Sequence, residues 1–325
     1  MPKNKKRDYI VSLILIILLF LFVNLLINFG IISRYFTGII LMMCINIILA
    51  TSLNLTVGLL GQINLGHAGF MSLGAYTAAL FMKAGIISGI PGYLISILLG
   101  GLIAFIFGIL VGIPSLRLKG DYLAIITLAF GEMIRVIIEF LGFTGGAQGL
   151  SGIPLMKNFL LVYIIMVISV AFMYSLMTSR HGRAVLAIRD DEIAAEASGI
   201  KTTKAKVFTF AISAMFAGLA GGMYAQYIGV LKANQFGFQY SVDILVMVVL
   251  GGMGSFTGSA ISATILTLLP ELLRSFEDYR MIIYSIILIL VMIYRPQGLL
   301  GKKEFQISKV LDSFNKRFGS KKKGK

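Results

Sequence analysis

Three groups of side chains in this 325-residue chain pair polar chemistry with a spacing that makes it usable. The first lies between Gly58 and Gly74, where Gln62, Asn64 and His67 are set among glycines 58, 61, 66, 69 and 74. Such glycines permit close helix contact, and the amide and imidazole groups suit either hydrogen bonding to neighbouring helices or the lining and gating of a polar path. Metal or proton chemistry at His67 has no support, because His181 is the only other histidine and no Cys or carboxylate pattern accompanies it. The second group is Glu132, Arg135 and Glu139, whose i, i+3 and i+7 spacing puts two carboxylates around one guanidinium on a single helix face. Charges buried in an apolar segment are often functional, but a mutually neutralising cluster that fastens one helix to its neighbour is the stronger expectation here. The third is a charged stretch from Ser179 to Lys206, SRHGRAVLAIRDDEIAAEASGIKTTKAK.

The elements that must position these groups are apolar and long. Hydrophobic residues make up 58% of the chain and charged ones 13%, and uncharged runs such as 9–33, 35–82 and 84–116 exceed any soluble core helix. Soluble, fibrous, disordered and disulfide-rich classes are therefore excluded, and the single Cys rules out any internal disulfide framework. The expected fold is all-α, a polytopic integral membrane bundle with some broken helices. Dividing the runs at their Gly, Pro and Asn clusters gives about ten spans: 9–29, 36–57, 66–87, 92–114, 122–142, 158–178, 206–230, 241–253, 257–273 and 279–295. The segment 241–253 is too short to cross unaided and reads as half of a broken helix. A turn at Gly251, Gly252, Gly254 and Gly258 matches the break at 58–66, as an internal repeat would produce. Gly218 with Gly222, Gly108 with Gly112 and Gly254 with Gly258 are small-residue pairs suited to close packing.

A net charge of +15 admits nucleic acid as a partner in principle, but its distribution points to lipid. With both termini in the cytoplasm, the inner loops and tails take most of the 29 basic residues, leaving the outer loops Arg34, Lys83, Lys157, Lys232, Arg274 and Arg280. The divisions are then a cytoplasmic N-terminus at 1–8, a membrane domain at 9–301 and a basic cytoplasmic tail at 302–325 lying on anionic lipid. The first span reads as a retained signal anchor, since its apolar stretch exceeds that of a cleaved leader.

The loop at 179–206 is helical by composition. Leu186, Ile193, Ala197 and Ile200 fall on one face, with Arg189, Asp190 and Glu196 elsewhere, and Gly199 is a plausible stop. Such a helix suits two roles, covering the membrane surface or docking into a partner's groove. The pattern Glu192, Ala194, Ala195, Gly199 resembles the EAA loop by which ABC importer permeases engage their ATPases, although Ile193 here separates the Glu from the two Ala.

That resemblance extends along the chain. GQINLGHAGFMSLGAYTAAL from Gly61, LRLKGDYLAIITLAFGEMIR from Leu116, TGGAQGLSGIP from Thr144, VMVVLGGMGSFTGSAI from Val246 and YRPQGLLG from Tyr294 are similar to the permeases of branched-chain amino acid ABC transporters, in the order seen in the LivM-type subunit. The resemblance implies a permease, not an enzyme, that carries Leu, Ile or Val across the cell membrane. Its implied partners are a second homologous permease, two ATPase subunits and an extracytoplasmic binding protein, with the path at the interface of the two permeases. No G-x-x-x-x-G-K-[ST] loop occurs, so ATP and Mg would be bound by the partner ATPases and the chain itself would hold no cofactor. In this frame Arg183, Arg189, Asp190, Asp191, Glu192 and Glu196 supply rim contacts to the ATPase, Leu186, Ile193 and Ala197 the buried face. Permeases for urea or short amides look much alike, and a gradient-driven carrier or channel is the rival from another class.

Overall fold

A computed structural model describes residues 4–30, 32–118, 120–274, 279–295, 297–299 and 301. The basic tail at 302–325 and residues 1–3 of the N-terminal segment lie outside the described residues. The chain is all-helical, with no strand among the described residues and a lone antiparallel bridge between Leu150 and Leu231. Helices pair their backbone polar groups within one segment except at their ends, which is what a hydrocarbon solvent demands.

In chain order the helices are α1 (Asn4–Asn28), α2 (Arg34–Asn54), α3 (His67–Lys83), α4 (Gly89–Ser115), α5 (Asp121–Phe140), α6 (Phe159–Thr178), α7 (Arg180–Asp190), α8 (Glu192–Ala197), α9 (Thr202–Ile228), α10 (Phe238–Gly251), α11 (Phe256–Leu272) and α12 (Arg280–Tyr294). Polar caps set several starts. Asn158 accepts from the amides of Leu160 and Leu161, Ser179 from His181, and Ser255 from Gly258. Because α1 already begins at Asn4, the expected division between 1–8 and 9–29 falls inside a helix.

Among the described residues, five helices are long and apolar enough to cross a membrane: Arg34–Leu59, Gly89–Ser115, Phe159–Thr178, Thr202–Ile228 and Ala233–Gly251. The first is α2 prolonged by a π-turn (Leu55–Leu59), the last α10 preceded by a 3-10 turn (Ala233–Phe236). The stretch expected at 241–253 is thereby lengthened to 19 residues at its N-terminal side.

The core is α9, buried on nearly all sides by α2, α3 and α4. Glycines allow this. A Cβ on Gly74 or Gly221 would collide with the backbone oxygen of Gly218 or Met71, and Gly108 and Gly112 of α4 meet Ala211, Ala214 and Phe210 of α9. Side-chain hydrogen bonds add direction, with Gln226 donating to Ser96 (2.8 Å) between α9 and α4 and Asn46 to Thr267 (2.8 Å) between α2 and α11. Large apolar side chains such as Leu98, Leu102 and Leu110 of α4 and Ile168 of α6 remain exposed, a surface suited to lipid. Gly254, by contrast, is not on a helix face. It lies in the α10–α11 turn at φ +95°, and Gly258 packs against Gly251.

Candidate functional site

The α2–α3 connection breaks where glycine makes continuation unnecessary and a positive φ necessary. After the π-turn, Gly61 takes φ +74°, and the amides of Leu60 and Gln62 close back on the carbonyls of Leu55 and Thr56. The following residues cannot bond within a helix, so side chains supply their partners. Asn64 Oδ1 accepts from the Gly66 amide (2.9 Å) and Thr127 Oγ1 of α5 from the Leu65 amide (3.1 Å). Ser241 Oγ of α10 accepts from the Ala68 amide (3.0 Å). His67 is fully buried, with Nε2 2.9 Å from Ser52 Oγ. That hydroxyl donates to the Leu49 carbonyl, which leaves it to accept from Nε2–H, while the Ser52 carbonyl accepts from Ser213 of α9 (2.6 Å).

The second break, Gly252–Ser255, is held against the first by Asn54. Its carboxamide accepts from the Gly254 amide (2.8 Å) and donates to the Ser255 carbonyl (3.0 Å), and the side chain is fully buried. Gly58 and Gly254 touch backbone to backbone, since a Cβ on Gly58 would overlap Asn54 Oδ1 and the Gly254 amide.

The charged loop lies at the same end of the bundle. It is two helices rather than the single one expected from Leu186, Ile193, Ala197 and Ile200. Asp191 interrupts it, extended at φ −156° and ψ 110°, its carboxylate accepting from the amides of Ile193 (2.9 Å) and Ala194 (3.1 Å). Aspartate is a poor interior helix residue and a strong N-cap, which is why the helix restarts there. Gly199, at φ +83°, ends α8 with its amide on the Glu196 carbonyl and that of Ile200 on Ala195, a Schellman closure.

The two short helices face both ways. Gly182, Val185 and Ile188 of α7 and Ala195 of α8 are buried against the bundle, and Leu186 is half-buried. Ile193 is 78% exposed, and Asp190, Asp191, Ala194, Glu196, Ala197 and the exposed Arg183, which donates to the Thr178 carbonyl, join it on the outer side. Glu192 forms an ion pair with Lys206 at the start of α9. Arg189 turns inward: Nη1 donates to the Gly58 carbonyl (3.2 Å), while Nε and Nη2 hold Asp190. Between loop and break lies a cavity of about 300 Å³ lined by Gln62, Ile63, Gly120, Leu123, Ile188, Arg189, Glu192 and Lys206. His181, at the start of α7, sits 3.1 Å from Thr209 of α9, and burial holds its imidazole below the usual histidine range.

Glu132, Arg135 and Glu139 are brought together at the opposite end of α10. Arg135 bonds Glu132 at 2.6 Å and Glu139 at 3.1 Å, and the second oxygen of Glu132 accepts from the Phe238 amide (2.8 Å), placing a carboxylate at the N-terminus of α10. The cluster fastens α5 to α10. Sequence reasoning missed Asn54, Lys206, Thr127 and Ser241. The signal at Asn54 was a carboxamide inside a charge-free span, a placement tolerated only against protein or water. No group of three His, Cys, Asp or Glu able to hold a metal exists among the described residues.

Two helix breaks are locked together under a charged surface hairpin, and comparison with known proteins gives that junction a context. The family model described as "Branched-chain amino acid transport system / permease component" matches residues 35–292. This chain belongs to that permease family. It is 37% identical over 307 residues to the high-affinity branched-chain amino acid transport system permease protein LivM of Salmonella typhimurium, covering 83% of this chain and 71% of the relative. It is 36% identical to LivM of Escherichia coli K12 over the same shares. A shorter match, 34% over 130 residues, joins it to the E. coli K12 permease protein LivH, with 39% of this chain and 42% of LivH covered. No solved structure matches. These relatives are transport permease components and not enzymes, and the permease described here is a transport component likewise.

Proposed function

We propose that this permease is one of two homologous membrane subunits of an ATP-driven importer of leucine, isoleucine and valine, with ATP and Mg bound by two partner ATPase subunits. In this reading the chain crosses the cell membrane about ten times with both termini in the cytoplasm. Residues 9–301 form the membrane domain, 179–206 the cytoplasmic coupling loop and 302–325 a basic tail, and an extracytoplasmic binding protein delivers the solute to the far side. LivM and LivH, both permease proteins of one named transport activity in E. coli, support a two-permease assembly.

The observation that carries the reading is the two-sided α7–α8 hairpin. Ile193, a large apolar side chain left 78% exposed among charges, offers a partner an anchor, and Arg189 behind it touches the helix break. An exposed aliphatic anchor with a charged rim is the form of a docking helix. Force applied at Ile193 would pass as rigid-body movement into the bundle.

The test is the assembled importer in proteoliposomes, assayed for labelled leucine and urea uptake with and without lumenal ATP. ATP-dependent leucine uptake is the expected result; uptake without the ATPase subunits, or urea transport in place of leucine, refutes the proposal. Ile193→Glu leaves the permease in the membrane and removes the ATPases from the purified complex; their full retention would refute the docking role.

A further inference from the structure

Helices α2 and α11 are separated by most of the chain, yet the C-terminal end of the first and the turn before the second share one set of polar contacts. The Gly58 carbonyl lies at the end of the π-turn, where the chain leaves the helix and the last carbonyls lack intrahelical partners. Arg189 supplies the donor, and its cation stands at the negative end of the α2 dipole. The same guanidinium stands beside the other break, its Nη1 3.8 Å from where a Gly254 Cβ would be, while its backbone bond goes to Gly58. Its aliphatic stem packs over Gly61, whose Cβ would meet Arg189 Cγ at 2.8 Å. Asn54 completes the junction by binding both sides of the Gly254–Ser255 turn. Asp190 holds the guanidinium from outside, so its orientation is fixed at both faces.

We infer that Arg189 is a positioning residue that joins the coupling hairpin to both helix breaks at once, so that movement of α7 shifts the α2–α3 and α10–α11 connections together. The inference rests on the proposed coupling role of the hairpin and adds the inward route. A rim contact would point Arg189 at the ATPase; here the side chain is spent on the chain's own backbone. Gly58 and Gly254 touch without intervening side chains, and Asn54 grips the turn, so there is no slack between the two breaks. Displacing α7 pulls the Arg189 donor away from the buried Gly58 carbonyl, and the breaks must follow or that carbonyl loses its side-chain partner.

The experiment uses the complete importer in proteoliposomes, with Arg189→Gln and Arg189→Lys beside wild type. Each is assayed for ATPase retention, ATP hydrolysis and leucine uptake. Arg189→Gln retains the ATPases and hydrolyses ATP, but its uptake per ATP falls about five-fold or more, the lower end of usual coupling between sites. Arg189→Lys, which keeps the charge without the fork, lies between the two. Unchanged uptake per ATP in Arg189→Gln overturns the inference, whereas an ATP-independent wild type overturns the coupling reading beneath it. Hydrogen exchange on the wild-type complex, compared with and without trapped nucleotide, needs no variant. Protection at 58–62 and 252–255 changes together with that of α7, and a change confined to α7 and α8 also overturns the inference.

Discussion

Gly100→Ala tests whether close backbone approach, and not apolar matching, sets the spacing of α3 and α4. A Cβ at Gly100 would stand 2.6 Å from the Gly74 carbonyl oxygen and 3.1 and 3.2 Å from its Cα and carbonyl carbon, all backbone atoms. Ordinary contact begins near 3.4 Å, so α3 and α4 must part by about 0.8 Å at their crossing, with no side chain free to yield. Overpacking of this kind costs about 2–3 kcal/mol, against a gain of about 1 kcal/mol from replacing glycine inside a helix, leaving a net loss of about 1–2 kcal/mol. Its neighbour is the matched control. A Cβ on Gly101 meets the Met215 carbonyl at 3.2 Å and otherwise only side-chain carbons beyond 3.5 Å, so the helix gain roughly cancels the crowding and the net change is about zero. Gly142, with nothing within 4 Å, reports the effect of the substitution in open space. With no Trp in the chain, unfolding is followed by far-ultraviolet circular dichroism and by size exclusion after heating. Gly100→Ala melts roughly 2–6 °C below wild type, and Gly101→Ala and Gly142→Ala melt with it. Equal midpoints for Gly100→Ala and Gly101→Ala would refute the argument, because the two differ in little except what the new methyl group touches.

The charge cluster and the half-buried His181 give two further predictions. Arg135→Ala leaves Glu132 and Glu139 without their shared cation and lowers stability by about 1–2 kcal/mol, the partial exposure of all three groups limiting the loss. Glu139→Gln, which keeps the Glu132 bond to the Phe238 amide, costs less than about 1 kcal/mol; equal melting of the two variants would show that the cluster does not fasten α5 to α10. Burial holds the His181 imidazole below its ordinary value of 6.5, so the unfolded chain takes up a proton that the folded one resists. The resulting stability is fully present above about pH 6.5 and is lost as the pH falls below it, and His181→Gln flattens the fall; a variant as acid-sensitive as wild type would rule this residue out.

Much of the architecture could be read from where charge is absent. The all-helical bundle, the breaks at 58–66 and 252–255 and the face of α5 carrying Glu132, Arg135 and Glu139 follow from runs of apolar residues, from glycine and from helical spacing. The sequence reads as one helix through the hairpin because Leu186, Ile193, Ala197 and Ile200 keep a helical period across Asp191. Periodicity describes which face is apolar and is silent about a local competitor, and the Asp191 carboxylate satisfies two amides better as a cap than it could within a continuous helix. The same periodicity puts Arg189 on the outer face. Its acceptor is a backbone carbonyl 131 residues away, and backbone carbonyls have no signature in a sequence.

The residues that reasoning missed share one physical cause. A helix broken at membrane depth exposes amides and carbonyls that a continuous helix would pair, and in hydrocarbon each needs a partner from another element. Asn54, Thr127, Ser241 and Arg189 supply those partners from four different helices, so each break is tied to the bundle at identifiable atoms. Three of these four donors and acceptors are uncharged and lie on long bundle helices. Arg189 alone sits on a surface hairpin, whose second helix presents the exposed Ile193 four residues further on. A break held only by its own bundle has no reason to respond to events outside it. Gly58 is held in part by a residue whose backbone belongs to the hairpin, and so, on the inference drawn above, the bond that makes this break tolerable is also the one through which it would be moved.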